Sequence, residues 1–404
     1  MVRILFISDN FPPEVNAPAT RTFEHGSEWV KLGAEVTVIT CFPNFPRGVI
    51  YDGYQNRWRK VEYINGIRMI RVWSFITANE GFLKRTLDYV SFGLMAFLHG
   101  LFVKTDVIIA TSPQFFAAMA GRALSRWKRK PWIMEVRDLW PESIKTVGAM
   151  SDNCIIRHFE KEEKWCYRSA ACIVPVTDSF KREIIKKGIP EDKIKVVTNG
   201  ANFSLFSPRP KDEQLIAEMG LEGKKILGYI GTLGMAHKMD YILECAKKLQ
   251  TTNPDYHFLL MGDGAEKRDI ANKVAKENIS NVTIHDAVPK QEVPRYLSIL
   301  DAAIINLKKT DLFKTVIPSK IFESSAMQIP ILLGVDGEAR SVVEKYGAGL
   351  FYEPENEADF IAKAQYLLAP DTNRQHFIDG CCRLAHAYDR RNLALKMYEI
   401  IKAL

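Results

Sequence analysis

Short runs of β-branched and aliphatic residues alternate with helical patterns along this chain, and the alternation starts twice. The first set lies at residues 4–8, 36–40, 67–72, 107–110, 132–136, 172–176 and 195–197; the second lies at 226–230, 257–261, 282–285, 302–306, 331–333 and 349–351. Runs that are apolar on both faces and separated by helices belong to parallel sheets covered on two sides, so each set predicts a doubly wound α/β domain. Between the sets, residues 198–210 are irregular and carry Asn199-Gly200, Pro208 and Pro210, which marks the join. A length of 404 residues also exceeds what a single core serves. The expected domains are 1–198 and 199–385, with a final helix in 386–404 able to pack back on the first. Two such sheets with their strand ends facing each other would hold ligands in the cleft between them.

Composition narrows the class. Hydrophobic residues make up 47% and charged residues 25%, without a Gly/Ser tract or like-charge block, so the chain should fold throughout. Its seven cysteines have no metal-like or disulfide-framework spacing, and they include the adjacent Cys381 and Cys382, which favours a reducing compartment. The apolar start is too short for a signal sequence and reads as a first strand, so the cytoplasmic side is expected. Residues 1–200 hold 29 Lys+Arg against 21 Asp+Glu, and the remainder 26 against 27, so the basic character belongs to the first half.

Much of that charge mixes with aromatics, in Arg57-Trp58-Arg59-Lys60 and Arg126-Trp127-Lys128-Arg129-Lys130. Such mixtures suit an anionic membrane surface or a nucleic acid. Between the two clusters, residues 81–103 form a nearly continuous apolar helix whose uncharged run is shorter than the roughly 20 residues a spanning helix needs. It reads as lying on a membrane through Phe97, Leu98 and Leu101, with Trp127 nearby, or alternatively as a buried helix with a solvated basic end.

Chemistry is expected in the loops at strand ends. Residues 315–334 join Pro318-Ser319-Lys320 to a helix carrying Glu323 and then to an apolar strand. A turn entering a helix offers free N–H groups and the positive end of a dipole to a phosphate, Lys320 adds mobile charge, and Glu323 could accept from sugar hydroxyls. Gly231-Thr232-Leu233-Gly234 follows a strand and precedes Lys238, Gly262 and Gly264 flank Asp263 after the next strand, and Val288 lies in the loop after a third. In the first domain Glu14, Asn16 and Arg21 follow the first strand, Ser112 follows another, and Arg137-Asp138-Leu139-Trp140-Pro141-Glu142-Ser143 leaves a third. Glu14, Arg137 and Asp138 are catalytic candidates together with Lys238 and Lys320, whereas Asn16, Arg21, Ser112, Trp140 and Glu142 are acceptor-side candidates. Arg137 and Asp138 could equally be a structural ion pair.

In this order the motifs resemble a family 4 retaining glycosyltransferase of the GT-B fold: Pro12-Pro13-Glu14, the Arg137–Glu142 segment, Thr198-Asn199-Gly200 before Phe206 and Pro208, the Gly231 loop with Lys238, Gly262-Asp263-Gly264, and Glu323 before Ala326 and Ile329-Pro330. The wording around residues 12–21 and 136–143 is similar to bacterial O-antigen and capsule transferases, especially the N-acetyl-L-fucosamine transferase group. The resemblance implies a nucleotide-sugar donor, expected to be UDP-linked, retained anomeric configuration, and a polyprenyl-diphosphate-linked saccharide acceptor at the inner face of the membrane. The family's paired glutamates are here Thr315 and Glu323, so sugar contacts of the first must come from 315–320. A histidine–acid pair near the reacting sugar stands here as Arg137-Asp138, and the usual Gly-Gly after strand one as Asn16-Ala17. Charge on a departing diphosphate would be met by Lys238, Lys320 and backbone N–H groups, without metal or cofactor. A UDP-sugar epimerase of the same fold needs the donor site but no lipid surface, and a basic nucleic-acid-binding protein remains the remote alternative.

Overall fold

The computed structural model describes residues 1–14, 16–45, 47–77, 82–112, 114–142 and 154–404. Val15, Pro113 and Ser143, which belong to motifs quoted above, and Gly81 lie outside the described residues. The chain divides into two compact units, Met1–Asn199 with Arg390–Leu404, and Gly200–Asp389.

The first unit is built on a seven-stranded sheet of order β3-β4-β2-β1-β5-β6-β7, with β1 Arg3–Ile7, β2 Glu35–Cys41, β3 Arg59–Ile64, β4 Ile67–Val72, β5 Val107–Thr111, β6 Trp132–Val136 and β7 Cys172–Pro175. All pairings are parallel except β3 with β4, an antiparallel hairpin turning at Asn65-Gly66, where both residues have positive φ. The central strands are buried on both faces, as their sequences predict. Helices α1 Ala17–Lys31, α2 Phe82–Gly100, α3 Phe115–Lys128, α4 Cys154–Ser169 and α5 Asp178–Lys186 follow in chain order. Asn16 caps α1 by accepting from Ala19 N at 2.9 Å, and Gln114 caps α3 by accepting from Ala117 N at 2.6 Å. Residues 195–197 do not form a strand; the chain runs alongside β7, with Val197 N donating to Pro175 O at 3.1 Å.

The second unit carries a six-stranded, all-parallel sheet of order β10-β9-β8-β11-β12-β13, with β8 Lys225–Ile230, β9 Tyr256–Met261, β10 Val282–His285, β11 Ala302–Asn306, β12 Ile331–Gly334 and β13 Gly349–Phe351. Its helices are α6 Glu213–Glu218, α7 Met239–Thr252, α8 Lys267–Lys276, α9 Val293–Ser298, α10 Ser319–Ala326, α11 Glu338–Tyr346, α12 Glu357–Leu368 and α13 Arg374–Ala387. Two apolar clusters cover opposite faces of the sheet. The last helix, α14 Arg390–Lys402, returns to the first unit: Leu393, Met397, Tyr398 and Ile401 join its core, and Trp29 Nε1 donates to Ala394 O at 2.9 Å.

Candidate functional site

In the second unit β8 lies between β9 and β11, so the direction of travel across the sheet reverses there and ligands are expected at the carboxyl ends of β8 and β11. The Gly231 loop leaves β8 at that point. Gly231 has φ +145, and a Cβ on it would stand 2.3 Å from Lys320 Cε, so only glycine lets the Lys320 chain run across this turn. Lys320 Nζ lies 4.6 Å from the centre of the Tyr229 ring and donates to Tyr229 Oη at 3.1 Å, while Tyr229 Oη donates to Thr232 O at 2.6 Å. Burial lowers the Lys320 ammonium to about 8, against a smaller opposing pull from Glu323. Lys320 and Glu323 also line a small cavity of about 20 Å³ with Ser324, Gly228 and Ile230.

The neighbouring groups extend this cation site. His237 packs edge-on to Tyr229 at 5.7 Å, its Nδ1 is buried without a hydrogen-bond partner, and burial followed by the Lys320 charge lowers it to about 4. Asn306 Nδ2 donates to His237 O at 2.9 Å and Asn306 Oδ1 accepts from Tyr352 Oη at 2.9 Å, fixing the β11 end against the β8 loop. Pro318 precedes α10 and Ser319 opens it, with no side-chain cap on its first N–H groups. Lys238, held at φ +50, opens α7 and pairs with Asp240 at 3.1 Å, a hydrogen bond that raises its pKa. Gly234 is extended at φ −138, with open space above its α-carbon but for Thr232 Cγ2 at 3.7 Å.

Gly262 and Gly264 have a different reason to be glycine. A Cβ on Gly262 would fall 1.8 Å from Gly231 O, and one on Gly264 would fall 2.2 Å from Leu233 O, so their first job is to let two loops cross. Val288, in the loop after β10, is half-buried. The sequence reading missed Tyr229 and Asn306, which carry no motif and lie at the ends of different strands, β8 and β11.

In the first unit several candidates prove to be braces. Glu14 is buried, with Oε1 accepting from Asn44 N and Phe45 N at 2.9 Å each, and Oε2 accepting from Phe11 N and Asn10 Nδ2 at 3.2 Å each. Both oxygens are thus spent on holding the loops after β1 and β2, which is a structural job in place of the catalytic one expected. Arg21 is likewise buried: Nε donates to Glu135 Oε1 at 2.8 Å, Nη2 to Val197 O at 2.9 Å and Nη1 to Thr198 O at 2.5 Å. It cannot reach an acceptor without abandoning these partners. Ser112 is buried and clamps the Arg137 loop, its Oγ accepting from Arg137 N at 2.9 Å. Asn16 spends its Oδ1 on the α1 cap. Trp140 stacks on Phe115 at 4.4 Å, and Glu142 pairs with Lys187 at 3.5 Å.

Arg137 sits among Glu135, Arg21, Arg390 and Asp9; burial lowers it to about 10, and its Nη1 is buried without a hydrogen-bond partner. Asp138 is half-buried beside it. Arg390, which pairs with Glu24 and comes from α14, has no counterpart in the sequence reading.

The apolar helix α2 has both an inward and an outward side. Phe97, Leu98 and Leu101, expected to meet a membrane, are half-buried and pack against the core cluster that holds Phe92, Met95 and Ala96. The outward stripe is Leu87, Val90 and Leu94, followed by Phe102, 84% exposed, and Trp127, 72% exposed. Lys128 Nζ donates to Leu101 O at 2.8 Å and the Trp58 ring lies 5.4 Å from His99, so both basic-aromatic clusters meet at the carboxyl end of α2. Among the described residues no helix is long and apolar enough to cross a membrane.

Comparison with known proteins agrees with this division. Residues 211–380 match the family described as glycosyl transferases group 1, and residues 16–200 match the glycosyl transferase 4-like domain. A glycosyltransferase assigned to teichuronic acid biosynthesis in Bacillus subtilis (strain 168) is 27% identical over 237 residues, spanning 58% of this chain and 58% of that protein. A glycosyl transferase assigned to colanic acid biosynthesis in Escherichia coli (strain K12) is 22% identical over 394 residues, covering 92% and 94%. The crystal structure of the Anabaena protein HepE with UDP and glucose covers all of both chains at a TM-score of 0.71 and 14% identity, which shows a shared fold.

Proposed function

We propose that this chain, which belongs to the glycosyltransferases and has their GT-B fold, moves a sugar from a nucleotide-sugar donor to a saccharide acceptor in bacterial polysaccharide biosynthesis. The observation that carries this reading is Lys320, drawn across Gly231 to the ends of β8 and β11 beside the uncapped start of α10. Breaking a sugar–phosphate bond leaves negative charge on the diphosphate, and a half-desolvated ammonium with helix N–H groups stabilises charge there more than water does. Lys238, at the end of the same loop, is assigned to the diphosphate in place of its partner Asp240, and the open space at Gly234 lets a ligand approach the main chain there. Glu323 is assigned to the ribose hydroxyls. UDP is the nucleotide this reading favours, in line with the UDP seen in HepE. Thermal-shift screening against UDP- and GDP-sugars, followed by transfer of labelled sugar to a lipid-linked saccharide, tests it; conversion of the UDP-sugar to its epimer without any acceptor would support an epimerase instead.

The acceptor is assigned to the first unit, and a polyprenyl-diphosphate-linked saccharide fits its surface. Leu87, Val90, Leu94, Phe102, Trp58 and Trp127 offer apolar contact beside Arg57, Arg59, Lys104 and Arg126, the composition of a helix lying in an anionic interface. The combined replacement of Leu94, Phe102 and Trp127 by Ser is expected to lower binding to anionic liposomes at least tenfold, read by co-sedimentation, with the melting temperature kept. Replacing the inward Phe97, Leu98 and Leu101 by Ser should instead unfold the unit. Undiminished sedimentation of the first variant would remove the membrane role.

A further inference from the structure

In the first unit the loop between β2 and β3 holds a polar pocket of about 290 Å³, lined by Gly53, Tyr54, Gln55, Arg57 and Lys60. A space of about 15 Å³ already admits a water, so a group larger than one phosphate has room here. The sheet register places the pocket at the end where an open α/β sheet takes its ligands. Arg59 pairs with Val72 in the antiparallel hairpin, and Val72 lies beside Cys41, the last residue of β2, so the loop opens at the carboxyl ends of the parallel strands. At the same end β1, between β2 and β5, forms the crevice of the sheet.

The pocket has more cations than carboxylates. Glu62 is shared, with Oε1 taken by Lys60 Nζ and Oε2 by Arg71 Nε at 2.7 Å each. Lys60 Nζ and Arg71 Cζ also stand 5.0 and 5.1 Å from the centre of the Tyr54 ring. Arg57 pairs with no carboxylate among the described residues; its Nε and Nη2 donate to the neutral Gln55 Oε1 at 3.0 and 2.7 Å. Asp52, exposed just before Gly53, is not part of the lining. Three cations thus share one carboxylate, and the guanidinium fork of Arg57 can exchange Gln55 for paired phosphoryl oxygens while Lys60 adds a point charge. The loop is tied on both sides. Arg71 Nη2 donates to Pro12 O at 2.5 Å and Nη1 to Cys41 O at 3.0 Å, which joins the Tyr54 side to the chain leaving β1. On the other side Asn56 Nδ2 donates to Ser74 O at 2.7 Å, Phe75 N donates to Ser91 Oγ of α2 at 2.8 Å, and Trp58 meets His99 of α2, the helix with the outward apolar stripe.

We propose that this pocket holds the diphosphate of the lipid-linked acceptor, with the apolar tail leaving over the α2 stripe and the saccharide running past Arg71 to the crevice at the end of β1. This rests on the glycosyltransferase reading given above and names the group by which the acceptor is recognised. A phospholipid headgroup offers related chemistry, but a pocket larger than one phosphate, with a fork and a separate ammonium, suits two phosphoryl groups.

The test measures binding of geranyl diphosphate, a water-soluble prenyl diphosphate, and of phosphatidylglycerol vesicles to the full chain by calorimetry. The proteins are the wild type, Arg57→Gln with Lys60→Gln, and Lys161→Gln with Lys164→Gln, the last two being exposed cations of α4. The pocket variant should bind geranyl diphosphate at least tenfold more weakly, with its melting temperature and UDP binding kept, and the α4 variant should bind as the wild type does. In the pocket variant KM for a lipid-diphosphate-linked saccharide should rise at least tenfold, and KM for the same saccharide on a plain alkyl chain should not change. Unchanged geranyl diphosphate affinity in the pocket variant overturns the proposal. An equal loss in the α4 variant overturns it by making net charge the cause, and a loss confined to the vesicles overturns it by giving the pocket to the bulk membrane. A wild type that passes sugar to a lipid-linked saccharide yet binds no geranyl diphosphate removes this site and leaves the functional reading. One that binds geranyl diphosphate through Arg57 and Lys60 but passes no sugar to any saccharide takes down the functional reading and leaves a lipid-diphosphate site.

Discussion

Lys320→Met is expected to lower kcat/KM for the nucleotide-sugar by a hundredfold or more, about 2.7 kcal/mol of transition-state stabilisation, while leaving the melting temperature within a few degrees of the wild type. Methionine keeps the length and packing of the lysine stem against Tyr229 and Gly231 and removes only the charge. The pH dependence gives a second reading of the same group. Its pKa is lowered by burial to about 8, so the ammonium is present below that value and lost above it, and kcat/KM for the donor should decline above about pH 8. Bound diphosphate favours the charged form, so the decline in kcat should come at higher pH than the decline in kcat/KM. Gly231→Ala should mimic Lys320→Met, because a Cβ at 2.3 Å from Lys320 Cε displaces the amine and φ +145 strains any other residue. Wild-type kinetics in Lys320→Met across pH 7–9 would remove lysine from the mechanism.

The repeated strands were legible because parallel strands buried on two faces are written as uninterrupted apolar runs, and the glycine loops were legible because they follow those runs. Strand β3 was not. It is an edge strand, largely exposed and charged, so it offers no apolar run, although Asn65-Gly66 carries the turn that makes the hairpin. The orientation of α2 was also hidden, since a helix that is apolar nearly all round has no polar face to say which side is outside. For the candidate site, residue type and position after a strand singled out Lys320, Lys238 and Arg137 as candidates. What could not be read was which polar groups are already paired: Glu14 and Arg21 look like cleft residues in one dimension, and only distant partners such as Phe45, Glu135 and Val197 show them to be braces.

Arg21→Met should cost the first unit about 3–5 kcal/mol of stability, the usual penalty for stranding one member of a buried ion pair. The loss is large because Arg21 meets several needs at once. Glu135 is 1% exposed and would keep its charge without its guanidinium partner, and the carbonyls of Val197 and Thr198 would lose their donor. At roughly 2–4 °C per kcal/mol for a unit of this size, the transition of the first unit should fall by about 6–20 °C. Amide hydrogen exchange resolves the effect by unit and should show lost protection in β1, β6 and α1, with residues 200–389 unchanged. Burial pushes the Glu135 carboxyl up, yet the charges of Arg21 and Arg137 together with hydrogen bonds hold it below its ordinary value. The ionised pair therefore stabilises fully above about pH 4.3 and loses that contribution as pH falls through the depressed value. In Arg21→Met the carboxyl has lost its main counter-charge and takes up a proton at higher pH, so the gap between variant and wild type should narrow on acidification. Arg21→Met with Glu135→Met should recover part of the lost stability, because neither member of the pair is left stranded, while Arg137 loses the Glu135 charge beside it and keeps only Asp9. If the double variant is as unstable as the single one, the cost lies in the unpaired carbonyls of Val197 and Thr198 and in the Arg137 charge, and the Arg21–Glu135 pair alone is not what holds this end of the sheet together.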